Sequence, residues 1–150
     1  MSTRYRLVTH RWYVVREPGG PPSPKLLSEP SAVAELAKHL VPDDDREHFW
    51  VIFVNTQNHF RAAHEVSSGT LSASLVHPRE VFGPALREGA AAIILIHNHP
   101  SGDPTPSKED MRLTQQLVDA GKLLDVRVLD HVIIGNGSGH WESLTQRGAI

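Results

Sequence analysis

Apolar residues recur along this chain with two different periods. Val33, Leu36, Ala37 and Leu40 lie three and four apart, which predicts a helix capped by Ser28, opened through Pro30 and stopped at Pro42. Val81, Phe82, Ala85 and Leu86 repeat the pattern after His77-Pro78. Gly83-Pro84 interrupts that second helix, at a cost in stability or with a kink, and Gly89 ends it. Leu113, Leu117 and Ala120 form a third stripe, running from a cap at Ser107 to Gly121 in a C-cap position.

The remaining stretches carry strand patterns. Residues 47–55 and 91–96 hold nearly unbroken apolar runs and read as buried strands. His59 to Ser67 follows a turn as the antiparallel partner of the first, and Ser68-Gly69-Thr70 breaks it. Leu123 to Ile134 supplies one further strand or a pair, Gly135 to Gly139 a tight turn, and Trp141 to Leu144 a short final strand or turn. Ahead of all these, residues 4–16 alternate loosely, as an edge strand or loose hairpin, and Gly19 to Pro24 is a linker. The expectation is an arm and linker over 1–27 and one mixed α/β domain over 28–150.

Composition narrows the function classes. A chain of 150 residues with net charge -2 suits one domain with a sizeable core, and its near-neutral balance argues against a dedicated nucleic-acid binder. There is no apolar run of about 18 residues to span a membrane and no continuous apolar segment of a secretory signal, so a cytoplasmic protein is expected. Cysteine is absent, which removes disulfides, thiolate ligands and cysteine nucleophiles. The acidic run Asp43-Asp44-Asp45 lacks a calcium-loop pattern and reads as a solvated loop, and His10, His39 and His140 read as surface residues.

The chemistry gathers where the 91–96 run ends. His97 and His99 are one residue apart at a strand end, so their side chains face the same way. Three prolines, Pro100, Pro104 and Pro106, restrict the loop that follows, and Ser107-x-x-Asp110 opens the next helix as a capping box. Two imidazoles and the Asp110 carboxylate can hold one metal ion with a fourth position open to water, the pattern of a catalytic zinc site. Zinc there would lower the pKa of its water toward ~7, and the reaction class that follows is metal-assisted hydrolysis of an amide or similar bond. Such a site needs a carboxylate base and an oxyanion donor. Ser107 is the first candidate donor unless its hydroxyl is spent on capping its own helix, with Ser101 and the Gly102 backbone weaker ones, and Glu47 at a strand entrance is either a neighbour of the metal or, more simply, a solvent-exposed residue. Asp130-His131 is either a pair supporting the ligands or, more simply, a hydrogen-bonded structural histidine. No Gly-x-Ser-x-Gly elbow or phosphate-binding glycine pattern occurs, and a nucleobase-deaminase site would need cysteines.

The spacing His97-x-His99, seven residues, Ser107, two residues, Asp110 resembles the signature of the JAMM (JAB/MPN) metalloproteases. The segments His-Pro-Arg-Glu at 77–80, His-Asn-His-Pro-Ser-Gly-Asp-Pro at 97–104 and Arg-Val-Leu-Asp-His at 127–131 resemble its RadC-like branch, over roughly residues 28 to 147. The resemblance implies a curved mixed sheet flanked by helices, related to cytidine deaminases. It implies zinc held by His97, His99 and Asp110, with Glu47 as general base and Ser107 assisting the oxyanion. The implied activity is that of a metallopeptidase or isopeptidase on a protein or peptide substrate. RadC proteins carry a helix-hairpin-helix DNA-binding region that this chain does not show, so DNA binding is not carried over. The alternative is a non-catalytic metal-binding interaction module linked to DNA repair or mobile elements. The arm and short edge strands are compatible with a homodimer.

Overall fold

The computed structural model describes residues 26–69 and 76–150. In chain order they form α1 (Pro30–Leu40), β1 (Glu47–Val54), β2 (Phe60–Gly69), α2 (Pro78–Arg87), β3 (Ala92–His99), α3 (Lys108–Leu124), β4 (Arg127–Gly135) and β5 (Trp141–Ser143). The five strands join in one mixed sheet in the order β2-β1-β3-β4-β5. β1 runs antiparallel to both β2 and β3, β3 parallel to β4, and β4 antiparallel to β5. The parallel step needs a crossover, and α3 supplies it.

Both faces of the central strands are covered, which is why β1 and β3 read as continuous apolar runs rather than as alternating ones. On one face Phe49, Val51, Phe53, Ile93 and Leu95 pack with Val81, Phe82 and Ala85 of α2 and Leu113 and Leu117 of α3. On the other, Ile52, Val54, Ile94 and Ile96 pack with Val33, Leu36 and Ala37 of α1. The expected mixed α/β domain is thus a five-stranded mixed sheet flanked by three helices.

Several boundaries differ from the sequence reading, each for a local reason. Glu29, not Ser28, is the N-cap of α1, and no side chain bonds the helix start there; Pro30 in the first turn has no N–H to satisfy. β2 continues through Ser68 and Gly69, which still pair with His48 and Glu47. α2 runs through Gly83-Pro84 to Arg87. Glycine has no Cβ to meet the proline ring that follows, so it keeps a helical conformation that other residues resist before proline. Gly121 lies inside α3, where a Cβ would overlap the carbonyl oxygen of Val126 and press on the Phe82 ring. The helix ends instead at Asp125, in the left-handed region at φ 56. Residues 127–135 make one strand, not two. The strand or hairpin expected over 4–16 and the linker at 19–24 lie outside the described residues. Among the described residues no helix is long and apolar enough to cross a membrane.

Candidate metal centre

β3 ends on its functional residues. His97 and His99 are its last same-side positions, beyond Ile93 and Leu95 on the face covered by α2 and α3. α3 then brings Asp110 against them from its first turn. Ser107 Oγ accepts from the Asp110 amide at 3.0 Å, and the Ser107 amide donates to Asp110 Oδ2 at 2.7 Å, so the expected capping box is complete. This box aims the carboxylate: Oδ1 lies 3.5 Å from His97 Nε2 and Oδ2 lies 3.3 Å from His99 Nε2.

Glu47 arrives from the antiparallel neighbour. Phe49 is registered opposite His97, which brings Glu47, two residues back on the same face, level with His99. Ligand atoms of Glu47, His97 and His99 all lie within 4.8 Å of one another. Glu47, His97, His99, Ser107 and Asp110 line one cleft of about 350 Å³, with Phe49 and Leu113 as its apolar wall. Phe49 stacks on His97 with ring centroids 5.9 Å apart. The five residues singled out in the sequence are therefore brought together.

The secondary candidates fare differently. Ser101 also lines the cleft, with its hydroxyl oxygen accepting from the Asp103 amide at 3.3 Å. The Gly102 amide is spent on the His99 carbonyl at 3.1 Å and is not an oxyanion donor. Asp130 and His131 do not pair through their side chains, because neighbours on a strand point to opposite faces. Asp130 accepts from the His131 amide, from Ser143 Oγ and from the Thr145 amide, tying β4 to the turn after β5. His131 points at the site: its Nε2 is 3.2 Å from His97 Nδ1, and its Nδ1 is 2.6 Å from Thr114 Oγ1. His39 and His140 are exposed as expected, and His10 lies outside the described residues.

Sequence reasoning missed a polar network behind the ligands. Asn98, fully buried between the two histidines on the opposite face, accepts from the His48 amide at 2.6 Å and donates to Arg46 O at 2.9 Å and Asn136 Oδ1 at 3.0 Å. His48 meets a carboxylate at each ring nitrogen, Glu65 at 2.7 Å and Asp44 at 2.9 Å. The acidic run is exposed, as expected of a solvated loop, and Asp44 in addition bonds His48 at the entry to β1. The signal that could have found this network is a polar residue at a buried strand position, which must be hydrogen-bonded.

Burial and charge set the protonation of the site. Burial pushes His97 down to about 4, against the pull of Asp110. Its hydrogen-bonded contact with Asp110 raises His99, outweighing its partial burial. Burial pushes Asp110 up, but the hydrogen bond from His99, the charge of His97 and the bonds from Ser107 hold it well below the usual carboxylate range. Burial takes His131 down to about 3. A neutral His97 and an ionised Asp110 are the forms a metal ion needs, while His99, with its pKa raised, has to release a proton to join them.

The spacing also fits a small tetrahedral ion. Bonds of ~2.0–2.1 Å place neighbouring ligand atoms about 3.3 Å apart. The His97–Asp110 Oδ1 and His99–Asp110 Oδ2 separations are 3.5 and 3.3 Å, so each pair matches that distance, with a different carboxylate oxygen facing each histidine. His99 Nδ1 lies 2.8 Å from Asp103 O, which can only accept, so Nδ1 keeps its proton and Nε2, which faces Asp110, is the nitrogen that a cation would take in exchange for its proton.

Fold and cleft together define a mixed α/β domain carrying a histidine–carboxylate candidate metal site at the end of its central parallel strand pair. The family model for the RadC-like JAB domain matches residues 27–149, and the chain belongs to that family. It is 49% identical over 121 residues to a UPF0758 protein of Desulforamulus reducens, covering 81% of this chain and 52% of that protein. It is 52% identical over 107 residues to a UPF0758 protein of Desulforudis audaxviator, covering 71% and 46%. A UPF0758 protein of Rubrobacter xylanophilus is 47% identical over 130 residues, covering 87% and 56%. The chain thus spans about half the length of the curated relatives it matches.

Proposed function

We propose that this domain is a zinc-dependent hydrolase of amide bonds, a metallopeptidase or isopeptidase acting on a protein or peptide tail. The observation that carries the reading is the convergence of His97, His99, Asp110 and Glu47 on one cleft with Ser107 beside them. His97, His99 and Asp110 would hold the ion, and zinc in such a site supplies Lewis acidity toward a water and an acyl oxygen. The Glu47 carboxylate takes the proton of the attacking water on one oxygen and returns it to the leaving amine. The Ser107 hydroxyl donates to the developing oxyanion. Its place in the capping box is compatible with that role: the cap uses a lone pair of Oγ, and the hydroxyl has a proton to give besides. Phe49 and Leu113 keep one wall dry, which strengthens each of these interactions.

The test joins metal analysis to catalysis. Purified protein should carry zinc in about a one-to-one ratio, lose hydrolysis of a peptide library on chelation and regain it with zinc. Glu47→Gln should keep the metal and lose turnover by at least ~10²-fold. Full turnover in that variant, or in the metal-free protein, would overturn the proposal. Zinc binding with no turnover on any peptide or isopeptide would favour a non-catalytic interaction module.

A further inference from the structure

We propose that Thr114 and His131 are positioning residues that fix the tautomer of His97, so that a lone pair on Nε2, rather than an N–H, faces the cleft. The inference rests on the reading of the cleft as a metal centre, because an imidazole nitrogen binds a cation only through its lone pair.

The order of protons follows from one atom that can only accept. The main-chain carbonyl of Asp110 lies 2.6 Å from Thr114 Oγ1, one helical turn on, and takes its hydroxyl proton. Thr114 Oγ1 therefore meets His131 Nδ1, also 2.6 Å away, as an acceptor, and His131 carries its proton on Nδ1. His131 is fully buried, and neither of its nitrogens bonds a carboxylate, so it holds a single proton. Its Nε2 is then a bare acceptor 3.2 Å from His97 Nδ1. His97 must donate through Nδ1, and its Nε2 is left unprotonated 3.5 Å from Asp110 Oδ1. The reverse order would press two acceptors, Thr114 Oγ1 and Asp110 O, together at 2.6 Å with no proton between them. The relay thus starts at the main chain of Asp110 and ends facing its carboxylate. His99 is ordered separately through Asp103 O, so the relay acts on one ligand of the two.

Long-range 1H–15N NMR spectra of the metal-free protein report which nitrogen of each ring is protonated, with no need of substrate. His97 and His131 should both be protonated on Nδ1. Thr114→Val keeps the shape of the side chain and removes the acceptor. Both histidines should then shift to the Nε2-protonated form, and the zinc Kd, read by competition with a chromophoric chelator, should rise about 10–100-fold. Thr114→Ser should restore both. A wild-type His97 protonated on Nε2, or a folded Thr114→Val with tautomer and affinity unchanged, would overturn the relay. Should Thr114→Val not fold, the wild-type spectrum alone decides. A wild-type protein with the expected tautomers that binds no zinc would leave the relay standing and remove the metal-centre reading, so the two failures are distinct.

Discussion

The carboxamide of Asn98 grips the chain on both sides of Glu47: Oδ1 accepts from the His48 amide at 2.6 Å, and Nδ2 donates to the Arg46 carbonyl at 2.9 Å. The backbone register of β1 with β3 is followed from Val54 to Phe49, and at the next residue a side chain takes over the bonding. That side chain sits between the two candidate histidine ligands, so the position of Glu47 is tied to the strand that carries them.

Removing this grip should be costly because it orphans one buried and one partly buried backbone group. Asn98→Ala leaves the His48 amide and the Arg46 carbonyl without their partner, and each such group costs ~1–3 kcal/mol. A loss of about 2–4 kcal/mol is expected in urea unfolding. Asn98→Asp should be no better. One oxygen still accepts from His48, while the other faces the acceptors Arg46 O and Asn136 Oδ1. Losses below about 0.5 kcal/mol in both variants would contradict this account.

Ser107 has two jobs that substitution can separate. Ser107→Ala should cost about 1 kcal/mol through the lost cap, whereas Ser107→Gly should cost only a few tenths. Both remove the hydroxyl, so both should reduce turnover by about 10²–10³-fold. Parallel unfolding and kinetic measurements check this, and a Ser107→Gly variant of near-normal turnover would confine Ser107 to its helix.

His48 should make stability depend on pH with a definite sign. Burial pushes its pKa down, but the bonds it donates to the Glu65 and Asp44 carboxylates outweigh this and leave it raised above 6.5. A raised folded value means the folded state holds the proton more tightly. The contribution is therefore complete below the unfolded value and fades as pH rises through the folded one. The stability gap between wild type and His48→Gln should be larger near about pH 6 than near about pH 9. An equal or inverted gap in denaturant titrations would sink the assignment.

Gly121 should tolerate no side chain although it lies mid-helix. Glycine to alanine in an open helix normally stabilises by ~0.4–1 kcal/mol. At Gly121 the added Cβ would run into the carbonyl of Val126 and the Phe82 ring, so Gly121→Ala should lower stability by at least ~1–3 kcal/mol instead. Thermal unfolding reads the sign directly.

How much of this was legible depends on how local each relationship is. His97, His99, Ser107 and Asp110 are set by strand alternation and a helix cap, both written into short spacings, so their convergence could be read directly. Glu47 lies on another strand, and only resemblance singled it out as the base; its place beside His99 depends on the β1–β3 register. Asn98 stood in plain view between the histidines, yet its partners are the backbone of β1 and the turn after β4, which no local period encodes. Thr114 and His131 likewise meet only once α3 has crossed back over the sheet. Gly121 misled because a glycine near a helix end and a glycine at a helix–helix contact look alike until Phe82 is placed beside it.

Next to Ser101, Gly102 and Gly135 meet backbone to backbone: a Cβ on Gly135 would coincide with the carbonyl group of Gly102. The Asn136 amide bonds His99 O at 3.0 Å in the same place, and the Asn136 side chain reaches back to Asp44 O at 2.9 Å. The proline loop is thereby keyed to the β4–β5 turn and, through it, to the chain leading into Glu47. To lift like a lid it would have to carry two other parts of the sequence with it. Among the described residues this part of the structure is a braced frame rather than a hinge.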